Sequence, residues 1–218
     1  RVELGEEHTQ VKTSLKMKRN PDAKTGKLPL VLDGGDLDLK EIYIDGRLLL
    51  SNEYSVDDEH LTLFDVPHEF VLETSVEIKP QHNTSLEGLY KSGDMFCTQC
   101  EAEGFRNITY YLDRPDVMSS YRTTIEADKS LYPVLLSNGS DVARGESENG
   151  KHWVTWEDPF KKPAYLFALV AGDLQHIEDE FTTCSGRSIT LKIYTEPANA
   201  NKLDHAMTSL KKAMAWDE

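Results

Sequence analysis

Ten consecutive residues, Thr9 to Lys18, alternate without a break. Thr9, Val11, Thr13, Leu15 and Met17 share one side, and Gln10, Lys12, Ser14, Lys16 and Lys18 share the other. Successive side chains of an extended strand point to opposite faces, so this pattern describes a strand with one dry face and one wet face. The alternation returns at Phe70, Leu72, Thr74, Val76 and Ile78 and stops before Pro80. Residues 40–44 and 47–50 flank Asp45-Gly46, a dipeptide favoured in two-residue hairpin turns. Further strands are predicted over residues 121–127, 134–136, 151–157 and 165–170, with turns at Asn138-Gly139 and Asn149-Gly150. Short strands of this kind must be covered by a second layer. The expected fold class is mainly β, an antiparallel sandwich or saddle.

Helical signals are scarce until late. Asp113 to Met118 could form a single helical turn, because proline is tolerated near a helix start. After Gly172-Asp173 the pattern changes. Phe181-Thr182-Thr183 and residues 188–194 read as strands around a Ser185-Gly186 turn. From about Leu203 the spacing turns helical, and Leu203, Ala206, Met207, Leu210, Ala213, Met214 and Trp216 form one apolar stripe. The boundary is placed near Asp173, with an all-β domain over residues 1–173 and the opening of a second domain over residues 174–218. An apolar stripe on a final helix with no glycine cap points to a chain that continues.

Composition narrows the function classes. With 218 residues, 39% of them hydrophobic, the chain can bury one substantial core and part of a second. A formal charge of −14 opposes binding to a phosphate backbone, which rules against nucleic-acid partners. No apolar run approaches the ~18–20 residues that a membrane-spanning helix needs. Three cysteines, an odd number, favour a reducing compartment, so the expected location is intracellular and cytoplasmic. The chain begins at Arg1 rather than Met, which leaves room for a leader removed before it. Asn83-Thr84-Ser85, Asn107-Ile108-Thr109 and Asn138-Gly139-Ser140 match the glycosylation pattern, which has meaning only in a secreted protein.

The chemistry-bearing stretch is Thr98-Gln99-Cys100-Glu101-Ala102-Glu103-Gly104-Phe105-Arg106-Asn107. On an extended backbone Gln99 and Glu101 would present an amide and a carboxylate to the same side. That pair suits a small cation such as the α-ammonium at a peptide N-terminus. A surface loop with solvated acids is the plainer alternative. Glu103 and Arg106 read as a structural ion pair that orders the loop. Cys97-Thr98-Gln99-Cys100 is a lone C-x-x-C, and Glu101 beside it disfavours a thiolate. Cys184 reads as an incidental thiol flanking a turn. None of the seven histidines lies four residues from another, so no helical zinc pair can form locally. Gly34-Gly35 lacks the following helix that a phosphate loop requires.

The run from Asn83 to Asp116, including Met95-Phe96-Cys97-Thr98, the ten residues above and Tyr110-Tyr111-Leu112-Asp113-Arg114-Pro115-Asp116, closely resembles the zinc aminopeptidase N family. These are thermolysin-like metallopeptidases that remove single residues from peptide N-termini. The likeness continues through residues 132–139, 156–160 and 165–173 and reaches Ser209 to Glu218; before about Leu61 it is looser. The family's G-A-M-E-N and H-E-x-x-H motifs are absent. The resemblance therefore implies the front part of a longer enzyme, with an N-terminal β domain followed by the first strands and helix of a thermolysin-like α+β catalytic domain. It implies substrate-binding roles for Gln99 and Glu101, which would hold the α-amine of the peptide. It places no catalytic residue and no metal ligand in this chain, and assigns Zn2+ to the full-length enzyme. The implied partners are peptides with a free N-terminus and the remainder of the catalytic domain. A stand-alone β-sandwich that binds peptides without catalysis, and a thiol-active protein using Cys97 and Cys100, are the alternatives from other classes.

Overall fold

The computed structural model describes residues 1–21 and 29–218. In chain order the first strands are β1 (Val2–Glu3), β2 (Thr9–Lys18), β3 (Leu30–Asp33), β4 (Asp38–Ile44), β5 (Arg47–Leu48) and β6 (Tyr54–Val56). They are followed by β7 (His60–Leu63), β8 (Glu69–Ile78), β9 (Gly88–Ser92), β10 (Met95–Gln99), β11 (Ser119–Asp128) and β12 (Val134–Ser137). The last are β13 (Ser140–Glu146), β14 (Lys151–Lys162), β15 (Leu169–Gly172), β16 (Gln175–Thr182) and β17 (Ser188–Thr195), before the helix α1 (Leu203–Asp217). The fold is mainly β, as expected. The chain divides into two compact units, Arg1–Ala171 and Gly172–Glu218.

The first unit is built on an eight-stranded sheet ordered β13-β14-β11-β1-β2-β8-β4-β5. A four-stranded sheet (β12-β15-β10-β9) and a three-stranded sheet (β3-β7-β6) complete it. The predicted alternation sets the register at its centre. β2 and β8 pair over ten residues from Thr9↔Ile78 to Lys18↔Glu69, and Val11, Leu72 and Val76 are buried. Side chains from all three sheets meet in one cluster: Ile42 and Ile125 from the large sheet, Leu32, Leu61 and Leu63 from the three-stranded one, Leu89, Phe96 and Leu169 from the four-stranded one. The β4–β5 hairpin turns at Asp45-Gly46, where both residues adopt the left-handed backbone (φ 49° and 76°) that a two-residue turn needs.

Four local expectations need correction. β1 pairs in parallel with β11 (Val2↔Ile125) inside an otherwise antiparallel sheet, because periodicity reports faces and not strand direction. Residues 165–170 are not one strand: Ala164–Leu166 form a 3-10 turn after Pro163, and β15 starts only at Leu169. Residues 113–118 make a β-turn closed by the Val117 amide on the Arg114 carbonyl (3.1 Å), with Pro115 at the position where its fixed φ fits. β13, an exposed polar edge strand without apolar alternation, falls outside the predicted strands, as do β1, β3, β6, β7, β9 and β10.

In the second unit, β16 and β17 pair from Gln175↔Thr195 to Thr182↔Ser188. Gly186 supplies the positive φ (79°) of the turn between them. Helix α1 packs on this hairpin through Leu203 and Met207, with Leu210 and Met214 half-buried. The buried stripe is thus narrower than the sequence suggested. Ala206, Ala213 and Trp216 face outward, Trp216 being 87% exposed.

Candidate functional site

The candidate loop leaves the end of β10. Strand β10 pairs with β9 from Met95↔Ser92 to Gln99↔Gly88, and the Leu169 amide donates to Thr98 Oγ1 (2.9 Å), which ties β10 to β15. Extended backbone stops at Gln99. Cys100 is buried, residues 101–103 form a turn, and Gly104–Asn107 form a 3-10 turn. The expectation that Gln99 and Glu101 lie on one side of a strand therefore fails, because the chain bends between them. A hydrogen bond brings the two residues together instead: Gln99 Nε2 donates to the Glu101 carbonyl oxygen at 3.0 Å. That leaves the Gln99 amide oxygen able to accept. Glu101 is exposed, and among the described residues its carboxylate has no ion-pair partner.

Two glycines let this bend form. A methyl group on Gly104 would lie 2.5 Å from the Gln99 carbonyl oxygen and 2.8 Å from the Gly88 amide nitrogen. Gly88, with φ +77°, faces Gly104 from the paired strand, and a Cβ there would meet the Gly104 carbonyl oxygen at 2.9 Å. The two backbones touch, and no side chain fits between them. The Gly104 amide donates to the Cys100 carbonyl (2.8 Å) and closes the turn.

Arg106 holds the base of the loop. Its backbone amide donates to Asp113 Oδ2 (3.0 Å), its Nε approaches the same oxygen (3.4 Å), and its Nη2 donates to the Asp113 carbonyl (3.2 Å). Nη2 also pairs with Glu103 (3.2 Å), the contact read from the sequence as an ordering ion pair, and Nη1 lies 3.8 Å from Asp33. Asp113 is buried, and its amide donates to Asp33 Oδ2 (3.0 Å). Burial pushes the Asp113 carboxyl above its usual range, and Arg106 pulls the other way. Phe105 packs edge-on against Tyr111 and Phe167, with centroids 5.0 and 5.2 Å apart, and anchors the loop in the core. Neither Asp33 nor Asp113 stood out from local spacing, since Asp33 is brought in from a distant strand.

The remaining sequence motifs resolve into structural roles. Cys97, Cys100 and Cys184 are all free thiols, and the buried Cys100 thiol is pushed up to about 12 by desolvation. A Cys100 thiol held so high stays protonated near neutral pH and disfavours redox exchange through that residue. A Cβ at Gly34 would meet the Tyr110 ring at 2.3 Å, and one at Gly35 would meet Asn107 Oδ1 at 2.5 Å. These glycines serve close packing under the loop. Asn83 caps the chain before β9 through its amide (to Glu87 and Leu89 carbonyls, 2.7 and 2.9 Å). Asn138 bonds Leu166 and Ala168 (3.1 and 2.7 Å), so its side chain and that of Asn83 are engaged within the fold. Among the described residues no three His, Cys, Asp or Glu side chains gather to hold a metal ion, so the implied zinc has no fitting donor set among them. No helix among them is long and apolar enough to cross a bilayer.

Comparison with known proteins decides the family. The model of the peptidase M1 N-terminal domain matches residues 5–166, most of the chain. This chain belongs to the peptidase M1 N-terminal domain family. Its M1 relatives include the aminopeptidase N of Caulobacter vibrioides, 56% identical over 190 residues that cover 87% of this chain and 22% of the relative. The Escherichia coli aminopeptidase N is 54% identical over the same shares. The crystal structure of Legionella pneumophila aminopeptidase A in complex with aspartic acid superposes with a TM-score of 0.92 and 37% identity, covering 100% of this chain and 26% of that one. The mainly β fold is thus that of M1 aminopeptidases. The chain spans about a quarter of the length of these M1 proteins.

Proposed function

We propose that this chain is the N-terminal part of a zinc-dependent aminopeptidase that hydrolyses the first peptide bond of peptides with a free N-terminus. Its contribution is the loop that holds the substrate's α-amine. The observation that carries this reading is the state of the two acids on the loop: Glu103 is paired with Arg106, whereas Glu101 has no cation partner among the described residues. A carboxylate without a counterion is an acceptor for an ammonium, with which it forms a charge-assisted hydrogen bond. The Gln99 amide oxygen can accept a second N–H without adding charge.

An anchor at the amino end also counts residues. A peptide bond one residue from the ammonium is set at a fixed distance from Glu101, and bonds further along the chain are not. Exopeptidase specificity follows from that geometry. Residues 1–173 supply this recognition, and residues 174–218 open a thermolysin-like catalytic domain. The zinc and the groups that act on the scissile bond come from the remainder of that domain, so this chain alone cuts nothing. The odd number of cysteines, three in all, supports an intracellular, cytoplasmic location as part of this reading.

The test is Glu101→Gln in the full-length protein. Losing the charge weakens transition-state binding of an unblocked aminoacyl substrate by about 2–5 kcal/mol, the range for one partner removed from a desolvated charge pair. An unchanged kcat/KM refutes the anchor.

A further inference from the structure

We infer that Thr98 is a positioning residue for the amine anchor: its hydroxyl ties the strand that leads into the anchor loop to β15. The inference rests on the anchor reading above and goes beyond it to what keeps the loop in place. An anchor that counts residues works only if its acceptors stay fixed relative to the scissile bond. Residues 101–103 are an exposed turn, so their position is set where the loop leaves the sheet and where it returns to the core.

At the exit, β10 has a neighbour on each side, but the two do not accompany it equally far. Its pairing with β9 runs on to Gln99↔Gly88, whereas its pairing with β15 ends at Cys97↔Val170. β9 is the edge strand of this sheet, so a tie to it fixes β10 relative to the edge alone. The tie to β15 fixes β10 relative to the rest of the sheet. In that register Thr98 stands opposite Leu169, and there a side chain takes over from the backbone ladder. The Leu169 amide donates to Thr98 Oγ1 at 2.9 Å, and the same hydroxyl donates to the Leu169 carbonyl at 3.4 Å. Gln99 and the bend follow at once.

The segment that receives Thr98 also meets the far end of the loop. Phe167, two residues before Leu169, packs its ring edge-on against the buried Phe105 ring with centroids 5.2 Å apart. One short stretch therefore touches the loop at its start and at its end. That stretch has no ladder of its own, since Ala164–Leu166 form a 3-10 turn and β15 begins at Leu169. Side chains hold it instead. Asn138 Nδ2 donates to the Leu166 carbonyl (3.1 Å) and its Oδ1 accepts from the Ala168 amide (2.7 Å), so the two bonds straddle Phe167. Ser137 Oγ donates to the Ala168 carbonyl (2.8 Å). Leu169 is thus a seated partner, and the Thr98 hydroxyl is what passes its position to the anchor.

The test is a cycle of variants of the full-length enzyme, read as kcat/KM on an unblocked aminoacyl anilide well below the Tm of each variant. Glu101→Gln comes first: an unchanged kcat/KM sinks the anchor reading and this inference together. Given a loss there, Thr98→Val lowers kcat/KM about tenfold in the native background and less than about threefold when combined with Glu101→Gln, because the position of the loop matters less once its charge is gone. Thr98→Ser keeps the hydroxyl and stays within about twofold of the native value. A structural role alone predicts otherwise. Thr98→Val would then lower Tm with kcat/KM intact, or lower kcat/KM equally in both backgrounds, and either result overturns the inference, as does a full loss in Thr98→Ser. Should Thr98→Val fail to fold, Asn138→Ala frees the Ala168 amide beside Leu169 and carries the same cycle, and native kcat/KM in that variant overturns the inference as well.

Discussion

Replacing Gly104 by alanine puts a methyl group into a gap between two backbones. Its Cβ would sit 2.5 Å from the Gln99 carbonyl oxygen and 2.8 Å from the Gly88 amide nitrogen. Ordinary van der Waals contact begins at 3.4 Å, so the oxygen must retreat by 3.4 − 2.5 = 0.9 Å and the nitrogen by 3.4 − 2.8 = 0.6 Å. Both atoms belong to strands held by the β9–β10 ladder, and neither is the end of a flexible side chain. Overpacking of this kind costs about 1–3 kcal/mol. For a unit of this size that is roughly 2–12 °C in Tm. The displaced residue is Gln99, one member of the proposed anchor, and a shift near 1 Å at a substrate-positioning group can lower activity by about 10²-fold. Steady-state kinetics on an unblocked aminoacyl substrate and thermal unfolding of the same full-length variant measure both effects. Native kcat/KM together with native Tm would refute the claim that the Gly88–Gly104 contact shapes the loop.

Two further outcomes follow from ionisation. Lys91 first and Tyr132 second hold the Glu6 carboxyl below its ordinary 4.5, against a smaller effect of burial. A lowered folded value means that this stability is present above 4.5 and is lost as pH falls through the folded value. Glu6→Gln should therefore cost up to about 1 kcal/mol at neutral pH, given how exposed the pair is, and nothing in strong acid; equal losses in denaturant titrations at both pH values would disprove it. Cys100, its thiol pushed up to about 12, should resist alkylation in the folded protein while exposed Cys184 reacts, and mass-mapped labelling at equal rates would contradict the buried placement.

Much of the fold was legible because burial imposes a period. The ten-residue β2–β8 pairing follows from two matched alternations, and the Asp45-Gly46 turn follows from the positive φ that few dipeptides accept. Some of the errors fall where no periodic signal exists, although the short alternating strand β7 was also missed. Edge strand β13 is exposed along nearly its whole length and so shows no apolar repeat. The stretch from Ala164 to Val170 is apolar throughout, and such a run does not separate a 3-10 turn from a strand. On helix α1, seven apolar positions satisfied the stripe, but the hairpin beneath it covers only one narrow face.

At the site the division is sharper. Sequence alone supplied the residue types, Gln99 and Glu101 within a short loop, the Glu103–Arg106 pairing at helical spacing, and the family likeness that gave them a meaning. The bend at Cys100, the contact of Gly88 with Gly104, and the burial of Asp113 against Arg106 and Asp33 came from the tertiary structure. The physical reason is range. Periodicity and turn chemistry act between neighbours along the chain, whereas Asp33 reaches Asp113 across 80 positions. Which carboxylate a cation neutralises depends on distances that only the folded chain sets.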